Sequence, residues 1–383
     1  MARTLGAIVD EVIARTREIC AVPGPPFDEA DRAAIVRSWW SSDGLADVHS
    51  DSAGNLWARA RAGSGAAPGA GAVVVAAHLD TVFDRGVVHE TRIDGGRLIG
   101  PGVGDDSVAL AALASVAELL APGPEPVWLL ATVGEEGAGN LRGARAALAA
   151  PPEPLKAFVA LEGNYLGRIC TVAVGSHRER IEISGPGGHA WEASAAPNAI
   201  HAAAALVDDA AGLAGIDEYS GARSSVNVGS ITGGEAINAR ARHCSFEVDL
   251  RSDDPGALDR LVAGFALACE AVATAHAVTI HRFTIGERPA GRLALDDPLV
   301  LAAVDGLALI GRTPEYVAAS TDANAAHAAG VPAVALGITE GAGEHTEQEW
   351  ISLDPIADGL RALHRTIELA SGGEGEVGPG GRR

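Results

Sequence analysis

Apolar runs that end abruptly in acid or histidine recur along this chain. GAVVVAAHLD, residues 71–80, carries three consecutive valines and is bounded by Gly/Pro-rich sequence. That pattern predicts a strand buried on both faces, of the kind found in parallel sheets. It ends in His78 and Asp80, which are two apart and so point the same way on an extended chain. PVWLLATVGEEGAG repeats the pattern, with a strand from Val127 to Val133 running into Glu135 and Glu136. LKAFVALEGN repeats it again, with Ala157 to Leu161 as strand and Glu162 at its end. Between them, GGRLIGPGVGDDSVALAALASVAELLA reads as a glycine-rich loop, two aspartates and a helix, with Asp106 expected to cap that helix. Such strands, separated by helical segments, predict one α/β sheet with a polar cluster along its carboxyl edge.

The pattern changes near Gly175. Up to about Arg288, strand-like runs (RERIEISG, SSVNVGSITGG, HCSFEVDLR, HAVTIHRFTIGE) alternate with two Ala-rich helical stretches, Asn198 to Leu213 and Pro255 to His276. Strand, helix, two strands, helix, strand is the order of a ferredoxin-like α+β unit. The α/β pattern then returns with the helix DPLVLAAVDGLAL, the strand VPAVALGI and the helix DPIADGLRALHRTIELA. The expected fold is therefore α/β, with a mostly parallel sheet flanked by helices and a smaller domain inserted into it. A catalytic domain covers 1–174 and 289–371, and the insert covers 175–288. Upstream lie two helices, a hairpin turning at Gly54, and a Gly/Ala/Pro loop from Ala62 to Gly71. Residues 372–383 are low-complexity and polar, and are expected to be a disordered tail.

Composition narrows the function classes. At 383 residues two domains are the default. A net charge of -21 argues against nucleic acid, whose phosphates need Lys and Arg. No apolar stretch reaches the length of a membrane span, and the N-terminus lacks the apolar core of a signal peptide. Cys20, Cys170, Cys244 and Cys269 are scattered without CxxC pairing, which suits a reducing cytoplasm.

A two-metal hydrolytic site needs a carboxylate shared between the ions, further ligands on each side, and a general base beside the water. His78, Asp105, Glu136, Glu162 and His345, the last in GAGEHTEQEW, fill that ligand count, and Glu135 is a spare acid beside one of them. Oxygen and imidazole ligands suit zinc, with manganese or cobalt as alternatives.

The ordered set HLDTV, GVGDDSVAL, GEEGAGNLRGA, LEG, GPGGHAWEASAAPNAIHA, NVGSITGGEAINARARHCSFEVDLR, STDAN and GEHTEQEW resembles a family of dizinc metallopeptidases. That family includes aminoacylase, acetylornithine deacetylase, succinyl-diaminopimelate desuccinylase, glutamate carboxypeptidase and peptidase T. The resemblance implies that His78 and Glu162 bind one metal, Glu136 and His345 the other, and that Asp105 bridges them. It implies that Asp80 orients His78 and that Glu135 takes the proton of an activated bridging water and passes it to the leaving amine. It also implies a cis peptide between Asp105 and Asp106. The insert would be a dimerisation and lid domain, from which His189 reaches into the partner's site to polarise the scissile carbonyl, while Asn238 and Arg251 hold a substrate carboxylate. A turn residue is the alternative for His189, and a surface salt bridge on an edge strand the alternative for Arg251. Glu347 and Glu349 either support the ligands or are exposed. Trp191 lines the substrate pocket or packs against the lid, and His177 lies near the hinge.

The reading is thus a homodimeric, cytoplasmic amidohydrolase with two divalent metal ions per chain. Its expected substrate is a small peptide, because GPGGHAWE…PNAIHA and GEHTEQEW look closest to the peptidase T branch. A deacylase of N-acyl amino acids is the alternative. A catalytically inactive binding relative would have lost a ligand, and none is missing here.

Overall fold

The computed structural model describes residues 3–64 and 71–373. The flexible loop and the tail expected from sequence lie largely outside the described residues. The chain forms two compact units, residues 1–172 with 292–383, and residues 173–291.

The first unit is organised around four adjacent parallel strands, in the order Val127–Thr132, Ala72–His78, Leu155–Glu162, Ala333–Gly337. Antiparallel strands extend the sheet at both sides. The hairpin Ala46–Ser50 and Leu56–Arg61 joins Val127–Thr132, and Arg168–Ala173 joins Ala333–Gly337. The uninterrupted valines are explained by two cores, one on each face. Val73, Val75 and Ala77 enter a core filled from the helices Leu5–Cys20, Ala30–Ser42, Val108–Leu119, Pro298–Leu309 and Ile356–Ala370. Val74 and Ala76 enter a second core, to which Ala147, Ala323 and Ala326 contribute from the helices Arg142–Ala149 and Ala323–Ala328. Every residue of Ala72–His78 is buried, and each valine contributes about 1.5–3 kcal/mol by leaving water.

This topology fixes where chemistry can sit. From Ala72–His78 the chain crosses to a neighbour on one side, Val127–Thr132, and then to the neighbour on the other, Leu155–Glu162. Successive connections diverge there, and the carboxyl ends of strands at such a point are the usual ligand position of open α/β sheets.

Two local features depart from the sequence reading. The glycine-rich segment before Asp105 holds short strands, Arg92–Asp94 and Arg97–Ile99, which pair with Trp350–Ser352 and Gly341–Ala342 in a small antiparallel sheet. Such short strands between glycines carry too little period-2 pattern to be read in advance. The second feature corrects the expectation for Asp106. The helix starts at Val108, and Asp105 and Asp106 have non-helical φ/ψ of -111/87° and -131/31°. The Asp106 carboxylate accepts from the backbone N–H groups of His78 (3.0 Å) and Gly163 (3.1 Å) and does not cap the helix. Unsatisfied N–H groups at two buried strand ends compete more strongly for it than the helix does. The Asp105–Asp106 peptide is cis.

The second unit carries the strands Gly175–Ser184, Arg223–Gly233, His243–Ser252 and Thr279–Arg288 and the helices Ala199–Ala211 and Pro255–His276. The strands are antiparallel in the ferredoxin-like order Arg223–Gly233, His243–Ser252, Gly175–Ser184, Thr279–Arg288. Both helices start on side-chain caps: Asn198 accepts from Ile200 N–H, and Asp254 accepts from Ala257 N–H ahead of Pro255. Ile181, Phe246, Val248, Leu206 and Phe265 form the core between them and the sheet.

At the edge of that core, buried Glu179 accepts from Arg282 Nε (2.7 Å) and His177 Nε2 (2.8 Å). Burial raises the carboxyl pKa, but the hydrogen bonds from His177 and Arg282 outweigh it and hold it at about 2 against an ordinary 4.5. A depressed pKa contributes stability that is fully present above 4.5 and is lost as pH falls toward 2. Acid titration followed by near-UV circular dichroism is expected to show a shallower acid limb for Glu179→Gln than for the native chain. Superimposable limbs would contradict this assignment.

Candidate metal centre

The predicted ligands lie at or after the carboxyl ends of the parallel strands, or on the loop that carries Asp105. His78 is the last residue of its strand, Glu135 and Glu136 follow Val127–Thr132, Glu162 ends Leu155–Glu162, and His345 lies on the segment after Ala333–Gly337. Asp105 enters from the glycine loop before Val108–Leu119. Its two carboxylate oxygens face different imidazoles: Oδ1 is 2.9 Å from His78 Nε2, and Oδ2 is 3.2 Å from His345 Nε2. His345 Nε2 is also 3.2 Å from Glu136 Oε1. Ligand atoms of His78, Asp105 and Glu136 all lie within 4.8 Å of one another, and among the described residues they form the one such group of His, Cys, Asp and Glu. Glu162 stands outside that group, with Asp106, Asp105, His78 and Glu135 as its electrostatic neighbours.

The electrostatics show a cluster short of positive charge. Burial, reinforced by Asp106 and Asp105, pushes the Glu162 pKa well above the carboxylate range. Burial does the same to Asp106. Asp105 moves the other way, because its hydrogen bonds to His345 and His78 outweigh burial. Both imidazoles are held protonated in return. Asp105 and Asp80 raise His78 well above its ordinary value against the effect of burial, and Asp105 and Glu136 raise His345 to about 10. Carboxylates and imidazoles at this spacing, His78 buried and His345 exposed, fit divalent cations, whose charge would replace those protons.

Asp80 meets the His78 ring with its main chain as well as its side chain. His78 Nδ1 sits 2.9 Å from the Asp80 carbonyl oxygen, while the Asp80 carboxylate is 3.7 Å away. That carboxylate accepts from the backbone N–H groups of Glu135 (3.0 Å) and Glu136 (2.7 Å). Asp80 thus orients the ring mainly through its carbonyl and uses its side chain to hold the next ligand loop.

Of the two acids that follow His345, Glu349 turns inward. It is fully buried and accepts three backbone N–H groups of the Gly102–Asp105 segment, whereas Glu347 is exposed. Nothing in the spacing of GEHTEQEW distinguishes the two.

The remaining candidates belong to the second unit. His189 lies on a two-residue strand paired with Ala239–Arg240, and Ala190 N–H donates to the Asn238 carbonyl. His189 Nδ1 accepts from the N–H groups of Trp191 and Glu192, which leaves Nε2 as the ring nitrogen able to donate. Trp191 is 84% exposed. Arg251 lies on an interior strand, contrary to the edge position considered from sequence, and its guanidinium pairs with Asp249 at 2.8 Å. His177 is part of the Glu179 cluster, which gives it a structural role.

The model of peptidase family M20/M25/M40 matches residues 74–369. The chain belongs to this family. It is accordingly a hydrolase acting on amide bonds, with a side-chain cluster able to hold divalent metal. A search of curated proteins returns no match. Among solved structures, the M20 chain is similar to the aminopeptidase PepT of Bacillus cereus, with TM-score 0.78, 22% identity, and 94% of this chain and 98% of that chain covered. It is similar to a tripeptidase of Staphylococcus aureus, with TM-score 0.79, 20% identity, and 95% and 98% covered. A dinuclear metal-binding M20 peptidase of Bacillus subtilis also aligns, with TM-score 0.71, 15% identity, and 96% and 99% covered. At these identities the likeness is one of fold. Among the described residues no helix is long and apolar enough to cross a membrane.

The protonated imidazoles give a direct test. A ligating imidazole must be neutral, so adding a divalent cation to the metal-free protein at pH 7 is expected to release protons from His78 and His345. Affinity should rise with pH over the same range. Calorimetry in buffers of different ionisation enthalpy measures the release, and metal uptake without it would contradict the arrangement.

Proposed function

We propose that the chain is a dinuclear, zinc-dependent peptidase of small peptides, aminopeptidase- or tripeptidase-like, working as a cytoplasmic homodimer. The observation that carries the reading is the Asp105 carboxylate, whose two oxygens address two separate imidazoles, as a ligand shared between two cations must. His78 and Glu162 would hold one cation, and Glu136 and His345 the other. When bound, the metal pair lowers the pKa of water and polarises the substrate carbonyl.

The chain's own residues supply the rest. Glu135 is 5% exposed, next in sequence to Glu136, and its backbone is fixed by the Asp80 carboxylate. It takes the proton from the attacking water and returns it to the leaving amine, the two halves of general acid–base catalysis. The low exposure of Glu135 and Glu136 keeps bulk water from competing for that proton. Dimerisation through the second unit would bring His189 of the partner subunit to the developing oxyanion. The Nε2 that its Nδ1 contacts leave able to donate suits that position. Asn238 and Arg251 would bind the substrate carboxylate, with Arg251 exchanging its Asp249 partner for the planar fork-to-carboxylate pair.

The small-peptide preference draws on the aminopeptidase and tripeptidase among the similar structures. Deacylation of N-acyl amino acids is the second reading, favoured by a likeness to a hydantoinase/carbamoylase family amidase of Burkholderia ambifaria at TM-score 0.66 and 20% identity. A panel of dipeptides, tripeptides and N-acyl amino acids, assayed with zinc, manganese and cobalt, decides between them. Hydrolysis of tripeptides or dipeptides is expected, and turnover confined to N-acyl amino acids would reverse the order. Glu135→Ala is expected to keep its metal and lose about 10²–10⁴-fold in kcat. Near-normal turnover by that variant would end the mechanism.

A further inference from the structure

The position of Asp105 is governed from a distance along the chain. Glu349, 0% exposed, directs both carboxylate oxygens at the backbone of the glycine loop. Oε2 accepts from Gly102 N–H at 2.8 Å, and Oε1 accepts from Gly104 N–H at 2.7 Å and from Asp105 N–H at 2.8 Å. The Glu349 carbonyl accepts from Gly100 N–H at 2.9 Å, and the adjoining Trp350 pairs with Ile99. A side chain at Gly104 would come within 2.8 Å of Glu349 Oε1, so glycine there is what admits the carboxylate. Gly102 turns the loop with φ +68°. Glu349 also follows His345 by four residues, on the same segment.

We propose that Glu349 is the positioning residue of the metal centre, fixing the backbone from which Asp105 reaches both cations and locking the His345 segment to it. It touches neither substrate nor metal and acts through Asp105. The proposal rests on the dinuclear reading for the role of Asp105, and on these hydrogen bonds for the part Glu349 plays in placing it. A neutral carboxamide of the same shape cannot substitute. It has one acceptor oxygen, so either Gly102 N–H or the Gly104 and Asp105 pair would face an NH₂ donor. A buried donor left facing a donor is penalised, and the loop moves to relieve it.

The experiment compares the native chain with Glu349→Gln, Glu349→Asp and, as control, Glu347→Gln at the exposed acid two residues before it. Each full-length protein is stripped of metal and titrated with Co²⁺ against a competing chelator. The visible Co²⁺ spectrum, melting temperature, kcat and KM are then recorded. Glu349→Gln is expected to weaken Co²⁺ binding and lower kcat by about 10–100-fold, the range for residues that orient ligands. The Co²⁺ spectrum should change while KM stays close to native. Glu349→Asp, which keeps both acceptor oxygens one methylene further back, should recover part of the loss, and Glu347→Gln should match the native chain. A native spectrum and affinity in Glu349→Gln would overturn the proposal whatever its melting temperature, since the residue would then be only a staple for the loop. If Glu349→Gln does not fold, an unchanged spectrum and affinity in Glu349→Asp overturns it equally. A native chain that binds no Co²⁺ overturns the dinuclear reading and this proposal together, and its own titration identifies that failure.

Discussion

The metal centre depends on buried carboxylates gripping backbone N–H groups. Asp80 holds the peptide nitrogens of Glu135 and Glu136, Asp106 holds those of His78 and Gly163, and Glu349 holds those of Gly102, Gly104 and Asp105. His78, Asp105, Glu136 and Glu162 are thereby fixed at the main chain, or next to it, before any side-chain torsion is counted. Such hydrogen bonds contribute about 0.5–3 kcal/mol each, the upper end applying where the acceptor is ionised. They also satisfy N–H groups that the ends of a buried sheet would leave unpaired. A ligand set anchored this way loses little freedom when it closes on a cation, which is the preorganisation a catalytic site requires.

The same acids create the charge problem that makes the site a cation site. Asp105, Asp106, Glu162 and Glu349 share a small buried volume, and burial pushes the last three upward in pKa. Besides the two imidazoles, a nearby positive group is Arg32, itself buried. It donates to the Ile19 and Val22 carbonyls and to Ser107 Oγ, in the electrostatic range of Asp80, Asp105 and Asp106. One guanidinium offsets part of the repulsion among these acids. The ferredoxin-like unit has its own core and its own buried ion cluster, and is stabilised independently of these charges.

Much of this is legible in the sequence because the signals are periodic or compositional. The valine run of 71–80 and the apolar runs ahead of Glu135 and Glu162 read as strands buried on both faces, as they are, and their polar ends mark one sheet edge. What local pattern does not carry is direction. Asp106 has the position of a helix cap, and Asp80 that of a ring-orienting acid, but both carboxylates turn toward main-chain N–H groups contributed by other strands. Glu349 and Glu347 are alike in sequence context, and only the pairing of Trp350 with Ile99 turns one of them inward. Interior placement of the Arg251 strand likewise follows from sheet order, which local pattern does not encode.

The central claim is that one aspartate is shared by two cations. Crystals of the zinc-loaded protein, with anomalous difference maps collected at the zinc edge, test it most directly. The account predicts two peaks per chain, one between Asp105 Oδ1 and His78 and the other between Asp105 Oδ2 and His345. A single peak, or a pair of peaks with Asp105 outside both coordination spheres, would contradict it.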